Sequence, residues 1–128
     1  MDRKLLEKLK RESLEITKII EKELIKRKKE VITKDDLIDW LAKREHIIPH
    51  RWPLIGKLYT FIASDVYENH VRLKFPENFT QKKENLAKEF SMQVLTTIIV
   101  ILSGKLQVPP EIEGAALSYI ERFLNLYK

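Results

Sequence analysis

The sequence predicts a mainly α-helical domain of about five helices, packed as an orthogonal or bundle-like core, with one short strand or β-hairpin near residues 70–75. Three observations support this fold class. Apolar residues recur at the three- and four-residue spacing of a helix through most of the chain. Thr, Asn, Pro and Gly stand where these segments begin and end. Strict alternation of apolar and polar residues, which indicates a half-buried strand, is confined to one segment.

The first predicted helix covers residues 2–30. Its apolar stripe consists of Leu5, Leu9, Ile16, Ile20 and Leu24. On its polar faces Glu7 precedes Arg11 and Glu23 precedes Arg27 by four residues, the order that favours ion pairs. The helix ends in a basic run of Lys26, Arg27, Lys28 and Lys29. Such a run either compensates the helix dipole at a solvated end or contacts phosphate groups.

The second predicted helix begins after Thr33, since Thr33 and Asp36 have the spacing of a capping box. It should run to about Glu45. Pro49 and Pro53 then interrupt the helical pattern, because the residue before a proline is disfavoured in helical geometry. Pro53 suits the first turn of a third helix.

The third predicted helix should end near Glu68–Asn69, and the strand follows it. His70–Phe75 alternates three apolar residues with three basic-capable ones. A lone strand needs a partner, and the candidates are Ile47–Ile48, Leu106–Val108 or a second copy of the chain.

The fourth predicted helix begins after Asn78 and ends at Ser103–Gly104. Its β-branched segment 94–102 leaves a strand as the alternative there. The fifth begins at Pro109–Pro110. The predicted core comprises Leu9, Ile16, Ile20, Leu37, Leu41, Leu58, Phe61, Ile62, Leu86, Phe90, Val94, Ile98, Ile120 and Phe123.

Composition sets the class of protein. At 128 residues the chain predicts one domain, 1–128, with a basic helix (1–30), a central block (31–76) and a C-terminal apolar helical pair (77–128). The absence of cysteine excludes disulfides and thiolate chemistry, and three glycines leave no glycine-rich phosphate loop. We therefore expect no enzyme, no catalytic residues, no metal and no cofactor.

The charge balance favours an anionic partner. Lys and Arg number 24 against 19 Asp and Glu, a net of +5. Residues 1–30 hold 11 basic and 7 acidic side chains, so most of the excess lies there. Abundant Lys and Glu with few Asn, Gln and Met is typical of a hyperthermophile. We expect a cytoplasmic protein without a membrane span, because its most apolar stretch, 94–102, is far shorter than the ~20 residues a span needs.

The central block resembles a winged-helix or helix-turn-helix DNA-binding module over residues 31–75. The resemblance rests on ITKDDLIDWL as first helix, RWPLIGKLY as the start of the second and HVRLKF as a wing-like strand. It implies that Arg51, Trp52 and Lys57 face the groove of DNA and that Arg72 and Lys74 contact its backbone. The alternative is that Trp52 belongs to the core and the basic residues form a solvated face.

The sequence thus predicts nucleic-acid binding, with DNA expected in preference to RNA. The candidate contact residues are Lys26, Arg27, Lys28, Lys29, Lys43, Arg44, Arg51, Trp52, Lys57, Arg72 and Lys74. A homodimer or a protein partner is expected through residues 5–24 or 94–102, whose apolar surface exceeds what one small core needs.

Two other function classes remain open. In size and composition the chain resembles the helical accessory subunits of nucleoprotein complexes. Examples of such complexes are archaeal replication assemblies and CRISPR effector complexes. Arg44 and His50, five residues apart, resemble the R-x4–6-H motif of HEPN ribonucleases, which would make them an RNA-cleaving pair. His46 and His50 have a spacing that two metal ligands could use on a helix, but Pro49 lies between them.

Overall fold

The computed structural model describes residues 3–28, 33–71, 80–104 and 108–126, and within them it is helical without any strand. This confirms the mainly α-helical class. The helices are α1 (Arg3–Lys26), α2 (Lys34–Lys43), α3 (Ile48–Arg51), α4 (Pro53–Val66), α5 (Thr80–Ser103) and α6 (Pro110–Leu126), with a π-helical turn (Tyr67–Val71) continuing α4.

The predicted boundaries hold where a local signal sets them. Thr33 and Asp36 form a capping box at the start of α2. Gly104 follows α5 with φ +68°, a left-handed conformation that glycine adopts without strain. The proline-containing break is a further short helix, α3, with Pro49 in its first turn. Gly56 of α4 lies against that turn so closely that a Cβ on it would be 2.7 Å from the Cα of Pro49.

The strand prediction near 70–75 is wrong for its first two residues. His70 and Val71 belong to the π-helical turn, and Arg72–Phe75 lie outside the described residues. Val71 is buried, so continuing the helix already places it in the core. The alternating pattern shows only which side chains are apolar and which are polar. A π-helical turn that exposes His70 and buries Val71 agrees with it as well as a strand does.

Helix α5 is the central element and packs against α1, α2, α4 and α6. Segment 94–102 is therefore helical and not a strand. The buried hydroxyls of Ser91, Thr96 and Thr97 each donate to the carbonyl four residues earlier, which satisfies them inside the helix. By length and composition alone Lys82–Ser103 could cross a membrane, but half of its apolar window is buried as the core helix of this domain.

One predicted core residue, Phe90, is wrong: it is 46% exposed. The sequence places an apolar residue at every fourth position of this helix, namely Leu86, Phe90, Val94, Ile98 and Leu102, and four of these five were predicted as core. Each such step advances about 400° around a helix of 3.6 residues per turn, so five positions drift across nearly half of its surface. The buried side of α5 instead includes Ala87, Leu95 and Ile98, and Leu86, Val94 and Phe61 are only half-buried.

Helix α4 begins against α1 and is capped by it. The N-cap residue Trp52 supplies no side-chain hydrogen bond. Instead the backbone N–H groups of Leu54 and Ile55 each donate to Oε1 of Glu12, at 3.1 Å. Glu12 is buried although the sequence places it among the charged residues of α1, and it fixes the junction of the two helices.

Candidate nucleic-acid interface

A cleft of about 440 Å³ lies between the C-terminal end of α1 and one side of α2. Four basic side chains, two acidic ones and two apolar ones form its walls: Leu24, Arg27, Lys28, Asp36, Asp39, Trp40, Lys43 and Arg44. All four of these basic residues are among the eleven predicted contacts. The structure therefore brings together residues that are up to 17 positions apart in the chain.

Local signals at the end of α1 and the start of α2 shape the cleft. The hydrogen bonds of α1 end in a turn where the N–H of Lys28 donates to the carbonyl of Ile25 at 2.9 Å. Lys28 has φ +59°, the left-handed region in which glycine is usual at a helix end. The capping box, with Thr33 N–H donating to Asp36 at 2.8 Å, then starts α2.

Arg44 is held in the cleft by three contacts. Its guanidinium lies 4.1 Å from the centre of the Trp40 ring. Nη1 donates to the Trp40 carbonyl at 3.1 Å, and Nη2 lies 3.3 Å from Oε2 of Glu23. The same carboxylate accepts from the Trp40 indole N–H. This cluster attaches α2 to α1 and holds the guanidinium of Arg44 in one position in the wall, paired with the carboxylate of Glu23.

The other three basic residues differ in how far their charge is already neutralised. Lys43 pairs with Asp39 at 3.0 Å, and both side chains are about two-thirds exposed. Arg27 and Lys28 are exposed, and no ion pair joins either to another residue in the described part of the chain. The predicted pair between Glu23 and Arg27 is wrong, because Glu23 contacts α2 instead.

Four of the remaining predicted contacts can be placed, and none of them lines the cleft. Lys26 is the last residue of α1 and is exposed. Arg51 is exposed on α3 and Lys57 on α4. Trp52 is 1% exposed, with its ring 6.2 Å from that of Trp40. A side chain so buried cannot reach a base, so the expectation that Trp52 faces a groove is corrected to a core position.

The other predicted contacts, Lys29, Arg72 and Lys74, lie outside the described residues. For the ribonuclease motif, Arg44 is bound to Glu23 and Trp40, whereas His50 is exposed on α3, and no hydrogen bond joins the two. Over the described ranges, no three His, Asp or Glu side chains are grouped as metal ligands.

Two tyrosines with raised pKa values lie at helix junctions outside the cleft. Burial, the charge of Glu45 and a hydrogen bond to it at 3.2 Å raise the pKa of Tyr59. Burial and a 2.6 Å hydrogen bond to Asp65 raise the pKa of Tyr119 to about 12, against a smaller opposing effect of Arg122. Both hydroxyls stay protonated at neutral pH, so these are structural hydrogen bonds, one from α4 to the turn after α2 and one from α6 to α4.

Comparison with protein-family models, with curated proteins and with solved structures finds no match for this chain. The sequence pointed to the basic residues of the cleft, but not to Glu23, Asp39 and Trp40, which orient or neutralise them. A signal for Asp39 was present, since it precedes Lys43 by four residues on the same helix face.

Proposed function

We propose that this chain is a non-catalytic nucleic-acid-binding protein whose cleft between α1 and α2 contacts the phosphate backbone. The observation that carries the proposal is the convergence of Arg27, Lys28, Lys43 and Arg44 on one cleft. Basic side chains that neutralise phosphates and release counterions supply most of the affinity of sequence-independent binding.

Charge within the cleft supports an anionic ligand. Its lining holds four basic residues against Asp36 and Asp39, of which Asp36 is engaged in capping α2, and Glu23 beside the lining pairs with Arg44. The basic side chains still outnumber these three carboxylates. Arg27 and Lys28 keep exposed charges, and Lys26 adds another beside them. Arg44 is already ordered by its stacking on Trp40, so a phosphate bound there costs little further side-chain entropy.

DNA is the ligand we propose in preference to RNA, following the order of the helices α2 and α4 and the exposure of Arg51 and Lys57. In a helix-turn-helix reading, Arg51 lies where base edges would be contacted. Replacing Arg51 with Gln should then reduce the preference between DNA sequences more than it reduces overall affinity.

The test is a fluorescence-anisotropy titration of labelled duplex DNA, single-stranded DNA and RNA at about 50 mM salt, where phosphate contacts are strong. We expect micromolar or tighter binding, with intact ligand recovered after incubation. The cleft variant combines Arg27→Gln with Lys28→Asn, because Asn tolerates the left-handed backbone of residue 28. It should bind about tenfold more weakly or worse.

A matched control variant removes the same number of positive charges from α1, but away from the cleft. Lys8→Gln combined with Arg11→Gln changes two exposed residues that lie about 24 Å or more along α1 from Arg27. This control should bind within about threefold of the wild type if the cleft is the contact surface. Equal weakening by both variants would show that net charge, and not the cleft, determines binding. Cleavage of RNA that is lost on His50→Ala would favour a ribonuclease instead.

A further inference from the structure

An apolar groove of about 410 Å³ lies near the opposite end of α1 from the basic cleft, between α1, the end of α5 and α6. Its lining comprises Leu6, Lys10, Ile101, Leu102, Ser103, Gly104, Leu117 and Ile120. Leu117 is 44% exposed on its rim. Lys10 precedes Arg27 by 17 residues, about 25 Å along the helix, so the groove and the cleft are separate surfaces.

The α1 wall of the groove is basic. Lys10 lines the groove, and Arg3 lies one turn before Leu6 on the same side of the helix. Residues 3–11 hold five basic side chains and one acidic one, Glu7. Glu7 lies 3.7 Å from Lys10 in an exposed pair, which is a weak interaction that another carboxylate can replace.

The α6 wall is lined by the apolar Leu117 and Ile120, and the charged side chains that stand beside this lining on α6 are acidic. Glu113 and Glu121 lie one turn before and one turn after Leu117, so the three share the side of α6 that borders the groove. Both glutamates are exposed, and neither has an ion pair with any described residue. The one basic residue of α6, Arg122, is 3.4 Å from Asp65 of α4 and compensates that carboxylate.

We propose that this groove is the docking surface for a second copy of the chain, related to the first by a two-fold axis parallel to the groove. Rotation about such an axis exchanges the two walls, so the basic wall of each copy lies over the acidic wall of the other. Leu117 of one copy then covers Leu6 of the other, which removes both from water.

Charge selects this arrangement over the other symmetric one. A two-fold axis across the groove would place basic wall on basic wall and acidic wall on acidic wall, and repulsion of like charges disfavours that. In the proposed dimer the basic clefts lie at the far ends of the two α1 helices. Both clefts stay open to a ligand, so dimer formation does not depend on the proposed function.

The test measures the dimer dissociation constant by sedimentation equilibrium from about 1 to 200 µM protein, free of nucleic acid. The wild type should approach twice the monomer mass of 15.2 kDa at the upper concentrations. Glu113→Lys with Glu121→Lys, or Arg3→Glu with Lys10→Glu, should each weaken the dimer by about tenfold or more. All four substitutions together should restore it to within about threefold of wild type, because each wall again meets its opposite charge.

A control substitution, Glu111→Lys, changes the same charge on α6 away from Leu117 and should leave dimerisation within about twofold. Circular dichroism on each variant checks the helical fold. A wild type that stays monomeric at 200 µM overturns the proposal. So does failure of the combined variant to restore the dimer while its helical content is unchanged.

Discussion

Replacing Glu12 with alanine should unfold the protein at a markedly lower temperature, because Glu12 caps α4 from a different helix. Its Oε1 accepts from two backbone N–H groups, those of Leu54 and Ile55, both at 3.1 Å. These residues are 5% and 0% exposed, so water cannot readily take the place of the carboxylate. The substitution leaves two buried donors without an acceptor.

The magnitude follows from two opposing effects. A hydrogen bond to a charged acceptor contributes about 1.5–3 kcal/mol, and there are two. Against this, Oε2 of Glu12 is buried without a partner, so removing the carboxylate also relieves an unfavourable desolvation. We expect a net loss of about 2–4 kcal/mol, or roughly 8–16 °C in Tm at about 4 °C per kcal/mol for a domain of this size.

The assay is urea and thermal unfolding followed by circular dichroism, with Glu12→Gln and Glu15→Ala in parallel. Glu12→Gln keeps one acceptor oxygen and should fall between the wild type and Glu12→Ala. Glu15 is exposed three residues along the same helix, so Glu15→Ala should stay within about 0.5 kcal/mol of wild type. If the free energy of unfolding of Glu12→Ala also stays within about 0.5 kcal/mol of wild type, the capping role is refuted.

Four other substitutions test the packing, the titration and the electrostatics. Gly56→Ala should lower the free energy of unfolding by about 1–3 kcal/mol, since the new Cβ would lie 2.7 Å from the Cα of Pro49 in α3. Gly114 of α6 has open space around it, so Gly114→Ala should raise the free energy of unfolding by about 0.5–1 kcal/mol in the same assay. The pKa of Tyr119 is raised from about 10 in the unfolded chain to about 12 in the folded protein, so its hydrogen bond stabilises the fold fully below pH 10 and is lost as the pH rises through about 12. The Tm difference between wild type and Tyr119→Phe should therefore shrink from pH 8 to pH 12. A difference that stays constant over this range would contradict the prediction. Asp39→Asn frees Lys43 and removes a negative charge from the cleft. At ~7 Å from a phosphate in water that charge opposes binding by about 0.6 kcal/mol, so anisotropy should show about threefold tighter binding at low salt, and unchanged or weaker binding would contradict it.

The sequence could predict those features that neighbouring residues determine. The capping box at Thr33 and the glycine after α5 involve contacts within a few residues, so their spacing in the sequence is their spacing in space. The helical class follows in the same way, because helical hydrogen bonds join residues four apart. The prediction that Phe90 is buried was also wrong for a local reason, because a step of four residues is longer than one helical turn of 3.6 residues.

The sequence could not predict contacts between distant segments. Glu23 is four residues from Arg27 but pairs with Arg44, because folding places α2 beside the end of α1 and Trp40 orients both groups. In the sequence Glu12 likewise cannot be distinguished from the other glutamates of α1. Its role becomes visible only in the fold, where it accepts hydrogen bonds from the first turn of α4. The cleft therefore had predictable basic residues, but its geometry depends on Glu23, just as the junction of α1 and α4 depends on Glu12, and only the tertiary structure defines the role of either carboxylate.

The most direct test of the proposed cleft is the salt dependence of duplex DNA binding for the wild type and for Arg27→Gln with Lys28→Asn. If the four basic residues of the cleft meet phosphates, log K should fall with log salt at a slope of roughly −4. The variant should reduce the slope by about two and weaken all DNA sequences alike, whereas Lys8→Gln with Arg11→Gln should leave the slope unchanged. A slope that is the same in wild type and cleft variant would contradict phosphate contact by this cleft.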